Sequence, residues 1–185
     1  MGENMNRRDF VFASVALPLI TSAPDLAGAT PRKPYVVLAE SCPVYQIGGA
    51  EARILVGSDL SHGEWWLGSF RSDAGRLTSL HVHHSADEQF YGVEGVMSVW
   101  VEGEWHELPA GACAVVPSAI PHALGNRSKH PARYVVSGNP AGFEHFFPEI
   151  ERAARKFAYG SSEFVAEVRK IYLKYDSELL GPPPK

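Results

Sequence analysis

Between residues 35 and 137 the chain alternates short apolar runs with clusters of Gly, Asp, Asn and Pro, and the runs recur roughly every ten residues. That rhythm belongs to strands joined by turns. It predicts strands at 35–39, 52–56, 64–71, 77–83, 89–93, 96–101, 105–108, 112–116, 122–124 and 133–137. Glu102-Gly103 falls between two of them and reads as a hairpin tip. No stretch of helical period interrupts the series, so an antiparallel sandwich or barrel is expected.

The period changes near Phe143. Pro148 suits a first helical turn, and Ile150, Ala153, Ala154 and Phe157 recur at i, i+3, i+4 and i+7. Ser161 or Ser162 then caps a second helix with Phe164, Val165, Val168, Ile171, Tyr172 and Tyr175 on one stripe. Two amphipathic helices after a barrel are expected on its outer wall or in a dimer contact. The fold class is therefore all-β, with a β region over 30–142 and a C-terminal helical extension over 143–185.

The first residues carry a different signal. Arg7-Arg8 stands before Phe10, an apolar run extends to Ile20, and Ala27-Gly28-Ala29 has the small-x-small form of a signal peptidase site. Residues 1–29 resemble a twin-arginine signal peptide, which implies a periplasmic or secreted protein exported already folded. No run of eighteen apolar residues exists, so no membrane span is expected after cleavage. The formal net charge of −4 argues against a nucleic-acid surface. Cys42 and Cys113 are the only cysteines and are expected to be small buried hydrophobes.

The chemistry concentrates between His81 and Gly95. His81 and His83 alternate, so on a strand both imidazoles face the same way, and His84 faces the opposite way. Glu88 opens the next strand and shares a face with Phe90. Imidazole and carboxylate on one face of adjacent strands favour a divalent transition metal. His122, after the turn at Pro117, is the candidate fourth ligand, since barrel closure would bring its strand beside that of His81 and His83. Phe90, Trp100 and Tyr134 are expected to line the cavity beside the metal. Trp65, Trp66 and Phe70 add aromatic surface that suits a planar or apolar ligand. His62, His106, His130 and His145 have no evident partner.

At this point a resemblance is specific. Gly75, His81, His83, Glu88 and Gly95 stand at the spacing G-x5-H-x-H-x4-E-x6-G, the first motif of the cupin superfamily. Gly111, Pro117, His122 and Asn126 match the second motif, except that Ala119 stands where glycine is usual. That alanine requires either a negative φ or some backbone strain. The resemblance implies a jelly-roll β-barrel with one divalent metal on His81, His83, Glu88 and His122. The tail looks like that of single-domain bacterial cupins of the quercetin (flavonol) dioxygenase-like kind. In those enzymes the glutamate matching Glu88 is thought both to ligate the metal and to act as base.

The chain thus reads as a metal-dependent dioxygenase, an oxidoreductase using O₂ on a small phenolic or enolisable substrate. The alternatives are a non-redox isomerase, cyclase or lyase, and a cupin that binds a small molecule without turnover. Intrinsic affinity favours Cu²⁺ or Zn²⁺ in such a site. Loading before folded export favours Fe²⁺ or Mn²⁺, with Ni²⁺, Cu²⁺ and Zn²⁺ behind them. A homodimer is compatible with the resemblance, since cupins commonly pair through β-strands.

Overall fold

The structure, a computed structural model, describes residues 33–185. The export signal expected over 1–29 lies outside the described residues. The strands and helices are β1 (Val44–Gln46), β2 (Ala50–Val56), α1 (Ser58–Ser61), β3 (Trp66–Ser72), β4 (Leu80–His83), β5 (Asp87–Glu94), β6 (Val96–Val101), β7 (Glu104–Pro109), β8 (Cys113–Val116), β9 (His122–Gly125), β10 (Ala132–Asn139), α2 (Phe146–Lys156), α3 (Ser162–Lys174) and β11 (Ser177–Gly181).

Every expected strand after the first has a counterpart. Residues 35–38 are irregular instead, and a short 3-10 turn follows at Ala39–Ser41. The strand beyond it, β1, has only three residues behind Pro43, too few to show a period. The two-residue link between β6 and β7 holds Glu102 at φ 50° and Gly103 at φ 96°. Both values are positive, as a hairpin turn that follows the strand twist requires.

The strands form a six-stranded sheet in the order β1-β2-β3-β10-β5-β8 and a five-stranded sheet in the order β11-β4-β9-β6-β7. This is a two-sheet jelly roll, and hydrogen bonding does not close it into the expected barrel. Alternation decides the inner face. Trp66, Gly68, Phe70 and Ser72 are buried on β3, and Ala132, Tyr134, Val136 and Gly138 on its partner β10. Phe70 stacks on Tyr134 with ring centroids 5.3 Å apart.

The helices depart from expectation. Ser161 caps α3 by accepting a hydrogen bond from the Phe164 amide at 3.2 Å, and both apolar stripes are where the period put them. They do not lie on the outer wall, however. Phe146 and Ile150 of α2 and Phe164 and Val168 of α3 line the same internal cavity as Trp66 and Tyr134. The helices roof the inside of the jelly roll. The segment after α3, read as a tail, turns at Asp176 (φ 48°) and becomes β11, antiparallel to β4 with Ser177 opposite His83 and Leu179 opposite His81.

The cysteine expectation is also corrected. Both thiols are free; Cys113 is exposed and Cys42 half-buried. Cys113 lies on β8, the edge strand of its sheet, on the same outward face as exposed Val115, so burial is not open to it. Among the described residues, no helix is long and apolar enough to cross a membrane.

Candidate metal centre

The centre is assembled from both sheets. β4 supplies His81 and His83, and its neighbour β9 places His122 directly opposite His81. Glu88 comes from β5 in the other sheet, where its backbone neighbours are Gly138 and Val116. All four residues are buried, at 4% exposure or less, and their ligand atoms lie within 4.8 Å of one another. Glu88 Oε2 is 3.2 Å from His122 Nε2 and 3.3 Å from His83 Nε2.

The outer hydrogen bonds set the tautomers. His81 Nδ1 is 2.9 Å from the Ser79 carbonyl and His122 Nδ1 is 2.9 Å from that of Ile120. A carbonyl only accepts, so both Nδ1 atoms carry hydrogen and, in the neutral rings, both Nε2 lone pairs face inward. His83 Nδ1 is 2.8 Å from Ser177 Oγ, whose own hydroxyl donates to the Tyr175 carbonyl at 2.8 Å. Ser177 must therefore accept from His83, which turns the third Nε2 inward as well.

Burial and the neighbouring imidazoles His122 and His83 depress the pKa of His81 well below its ordinary value, against the pull of Glu88 and Ser79. His81 is thus neutral and ready to donate a lone pair. Burial pushes the Glu88 carboxyl up. The adjacent His83 and His122 imidazoles outweigh it and hold Glu88 well below the usual carboxylate range.

A divalent metal fits this arrangement on the observations themselves. His83 Nε2 is buried without a hydrogen-bond partner. An ionised carboxylate is buried among imidazoles, a charge whose desolvation demands a cation. Three nitrogens and one oxygen are donors for a borderline transition ion. The four ligands expected from the sequence are therefore together, and the cluster could hold a divalent metal.

Other expectations fare unevenly. Tyr134 lines the cavity, but Phe90 and Trp100 do not. Phe90 is core, with its ring 6.2 Å from that of His122, and Trp100 is half-buried on β6 opposite Trp105. His84, His62, His106, His130 and His145 are all exposed. Of these, His106 lies 3.5 Å from Glu104, and His145 lies 3.2 Å from Ser58 Oγ and 3.5 Å from Glu144. Sequence reasoning missed Ser177, and also Tyr172, whose ring packs 5.3 Å from that of His81. Nothing local marks either one, because their roles depend on where the C-terminal chain returns.

Ala119 takes the strained option. Its φ is 62°, and its amide donates to the His83 carbonyl at 2.7 Å, so the turn that carries it steadies a ligand strand. Left-handed backbone costs a non-glycine residue about 1–2 kcal/mol, partly offset by the greater entropy glycine loses on folding. Ala119→Gly is expected to stabilise the protein by about 1 kcal/mol, raising the melting temperature by roughly 2–4 °C in a calorimetric scan.

Ser177→Ala leaves the His83 Nδ1–H without its acceptor and frees the ring to turn. Loss of such a support weakens metal affinity about 10–100-fold, which competition against a chelating dye would read. Ser177→Thr, which keeps the hydroxyl, is expected to restore most of the affinity.

The fold and the cluster together define a two-sheet jelly-roll protein with a buried three-histidine, one-glutamate centre. Residues 69–138 match the model of the cupin domain family, Cupin_2. Over 105 residues it is 27% identical to the tetracenomycin polyketide synthase protein TcmJ of Streptomyces glaucescens, covering 57% of this chain and 70% of that protein. Among solved structures, KdgF from Halomonas sp. superposes with a TM-score of 0.54 at 18% identity, over 61% of this chain and 99% of that one. A predicted oxalate decarboxylase from Thermotoga maritima gives a TM-score of 0.54 at 17% identity, over 57% and 99%. A sugar phosphate isomerase of the cupin superfamily from Silicibacter pomeroyi gives 0.50 at 21%, over 57% and 75%. At these identities the structures establish the fold alone.

Proposed function

We propose that this protein is a divalent-metal enzyme in which His81, His83, Glu88 and His122 hold the ion, and Glu88 also accepts the proton of an enolisable or phenolic substrate. The observation that carries this reading is the ionised Glu88 carboxylate buried among three imidazoles whose Nε2 atoms all turn inward. A bound divalent ion supplies Lewis acidity that lowers the pKa of a substrate hydroxyl and steadies the oxyanion left behind. Glu88 Oε2 would accept that proton, and His83 Nε2 at 3.3 Å and His122 Nε2 at 3.2 Å flank it.

Dioxygenation of that oxyanion is the first reading, supported by the resemblance of the C-terminal tail to flavonol-dioxygenase-like cupins and by the aromatic cavity. The cavity measures ≈ 120 Å³, the size class that takes up a benzene-sized guest, so a one-ring substrate or the reacting ring of a larger one fits it. Isomerisation or cyclisation is the second reading. It is favoured by the likeness to a polyketide synthase protein. We also propose that Arg7-Arg8 directs folded export with Fe²⁺ or Mn²⁺ already in place.

Oxygen uptake by metal-loaded protein against phenolic and enolisable compounds tests the function. Substrate-dependent O₂ consumption with product formation is expected. Turnover that is unchanged without O₂ selects the second reading, and tight binding without any product overturns both.

A further inference from the structure

The cavity that meets the metal centre has a second polar pole. Arg76 lines it together with His81 and Glu88. Among the described residues that line the cavity, Arg76 alone is a lysine or arginine. One Nη bonds the Leu77 carbonyl, and the guanidinium carbon lies 4.4 Å from the centroid of the Tyr159 ring. Its Nε is buried with no hydrogen-bond partner, and no carboxylate pairs with the guanidinium among the described residues. Guanidinium keeps its charge at every physiological pH. A fixed, partly desolvated cation with an unused donor is costly unless something anionic completes it.

The rest of the wall says what that anion is attached to. Phe70, Tyr134, Trp66 and Phe143 are apolar or aromatic, and the volume of ≈ 120 Å³ leaves room for about one ring. A phosphate ester is poorly served, since a doubly charged group asks for more than one cation. A carboxylate matches one guanidinium edge in charge and shape. Glu88 and Arg76 both act electrostatically on Tyr134 and Tyr172, which places the two tyrosines within reach of both poles.

We infer that Arg76 anchors the substrate, holding the carboxylate of a one-ring aromatic or enolisable acid whose other end faces His81 and Glu88. The inference deepens the proposed function and rests on its reading of the cavity as the substrate site. Arg76 then sets orientation, directing the hydroxyl or enolisable carbon of the acid toward Glu88.

The test measures binding of benzoate and of its neutral analogue benzamide to the whole protein, both metal-free and Mn²⁺-reloaded, by calorimetry. The metal-free arm matters because a carboxylate can also bind a metal directly. Benzoate is expected to bind at least about tenfold tighter than benzamide in both forms, the gain of a charge-assisted hydrogen bond. Arg76→Met is expected to bring the metal-free ratio near one while leaving metal stoichiometry intact. Arg76→Lys, a point charge without the planar edge, is expected to keep only part of the preference. Where Arg76→Met does not fold, the lysine variant decides, and an undiminished ratio there overturns the inference. Equal binding of the two probes by the wild type, no binding of benzoate, a preference that survives Arg76→Met, or tighter binding of inorganic phosphate each overturns it too. Absence of metal from the wild-type protein would sink the metal-enzyme reading alone, because the anion preference is read without metal.

Discussion

His122→Ala is expected to lose stoichiometric divalent metal, falling below about a tenth of an ion per chain, while the jelly roll stays folded. His122 faces His81 across β4 and β9, and its Nε2 is also 3.2 Å from Glu88 Oε2. Its removal takes away one ligand and one of the two contacts that hold the carboxylate in position. The remaining His81, His83 and Glu88 are then three donors drawn from two sheets, with Glu88 less constrained. Stability falls as well, because His122 is 1% exposed and its loss leaves a cavity beside a buried charge. The combined cost is about 3–5 kcal/mol in the metal-free state, tolerable only if the core carries the fold. His122→Gln, which fills more of the space, guards against a variant that simply unfolds. Elemental analysis alongside circular dichroism reads both effects, and unchanged metal content would remove the central claim.

The parts of this molecule that the chain announces in advance are those fixed by local periodicity. The spacing of apolar runs showed the strands, and the His81, His83 pair was legible because two residues on a strand return to one face. His122 needed one further step, the pairing of β4 with β9. What periodicity does not show is the destination of an apolar face. The stripes of α2 and α3 were readable, yet nothing in a 3.6-residue period distinguishes an outer wall from the roof of a cavity. The same limit hid β11. Its five residues are too few for a firm period, and their strand character comes from the open edge of β4. With β11 went Ser177, whose role depends on standing opposite His83. Arg76 was passed over because a single arginine after a motif glycine looks like a solvated loop residue. Only the arrival of the Tyr159 ring over it, from the link between α2 and α3, encloses it.

Glu88→Gln is expected to separate holding the metal from moving the proton. Glutamine keeps the length and one carbonyl oxygen of the side chain, so His81, His83 and His122 with that oxygen retain bound metal at reduced affinity. The proton acceptor is gone, and loss of a positioned base costs about 10²–10⁴-fold in rate. The predicted result is therefore near-full metal occupancy in a metal-sufficient buffer, with turnover of any accepted phenolic or enolisable acid down at least about a hundredfold. Exchange of the substrate's enolisable hydrogen with solvent deuterium checks the proton step by itself and should fall with turnover. A pH series on the metal-free proteins adds an independent reading. Glu88 has a depressed pKa in the fold, so it contributes stability above the unfolded carboxyl value of about 4.3 and loses it as pH falls toward the folded value. The glutamine variant lacks that contribution, so its stability should fall less steeply than the wild type's as the solution is acidified below about pH 4. A glutamine variant with full turnover would leave Glu88 as a ligand only and move the base elsewhere in the cavity.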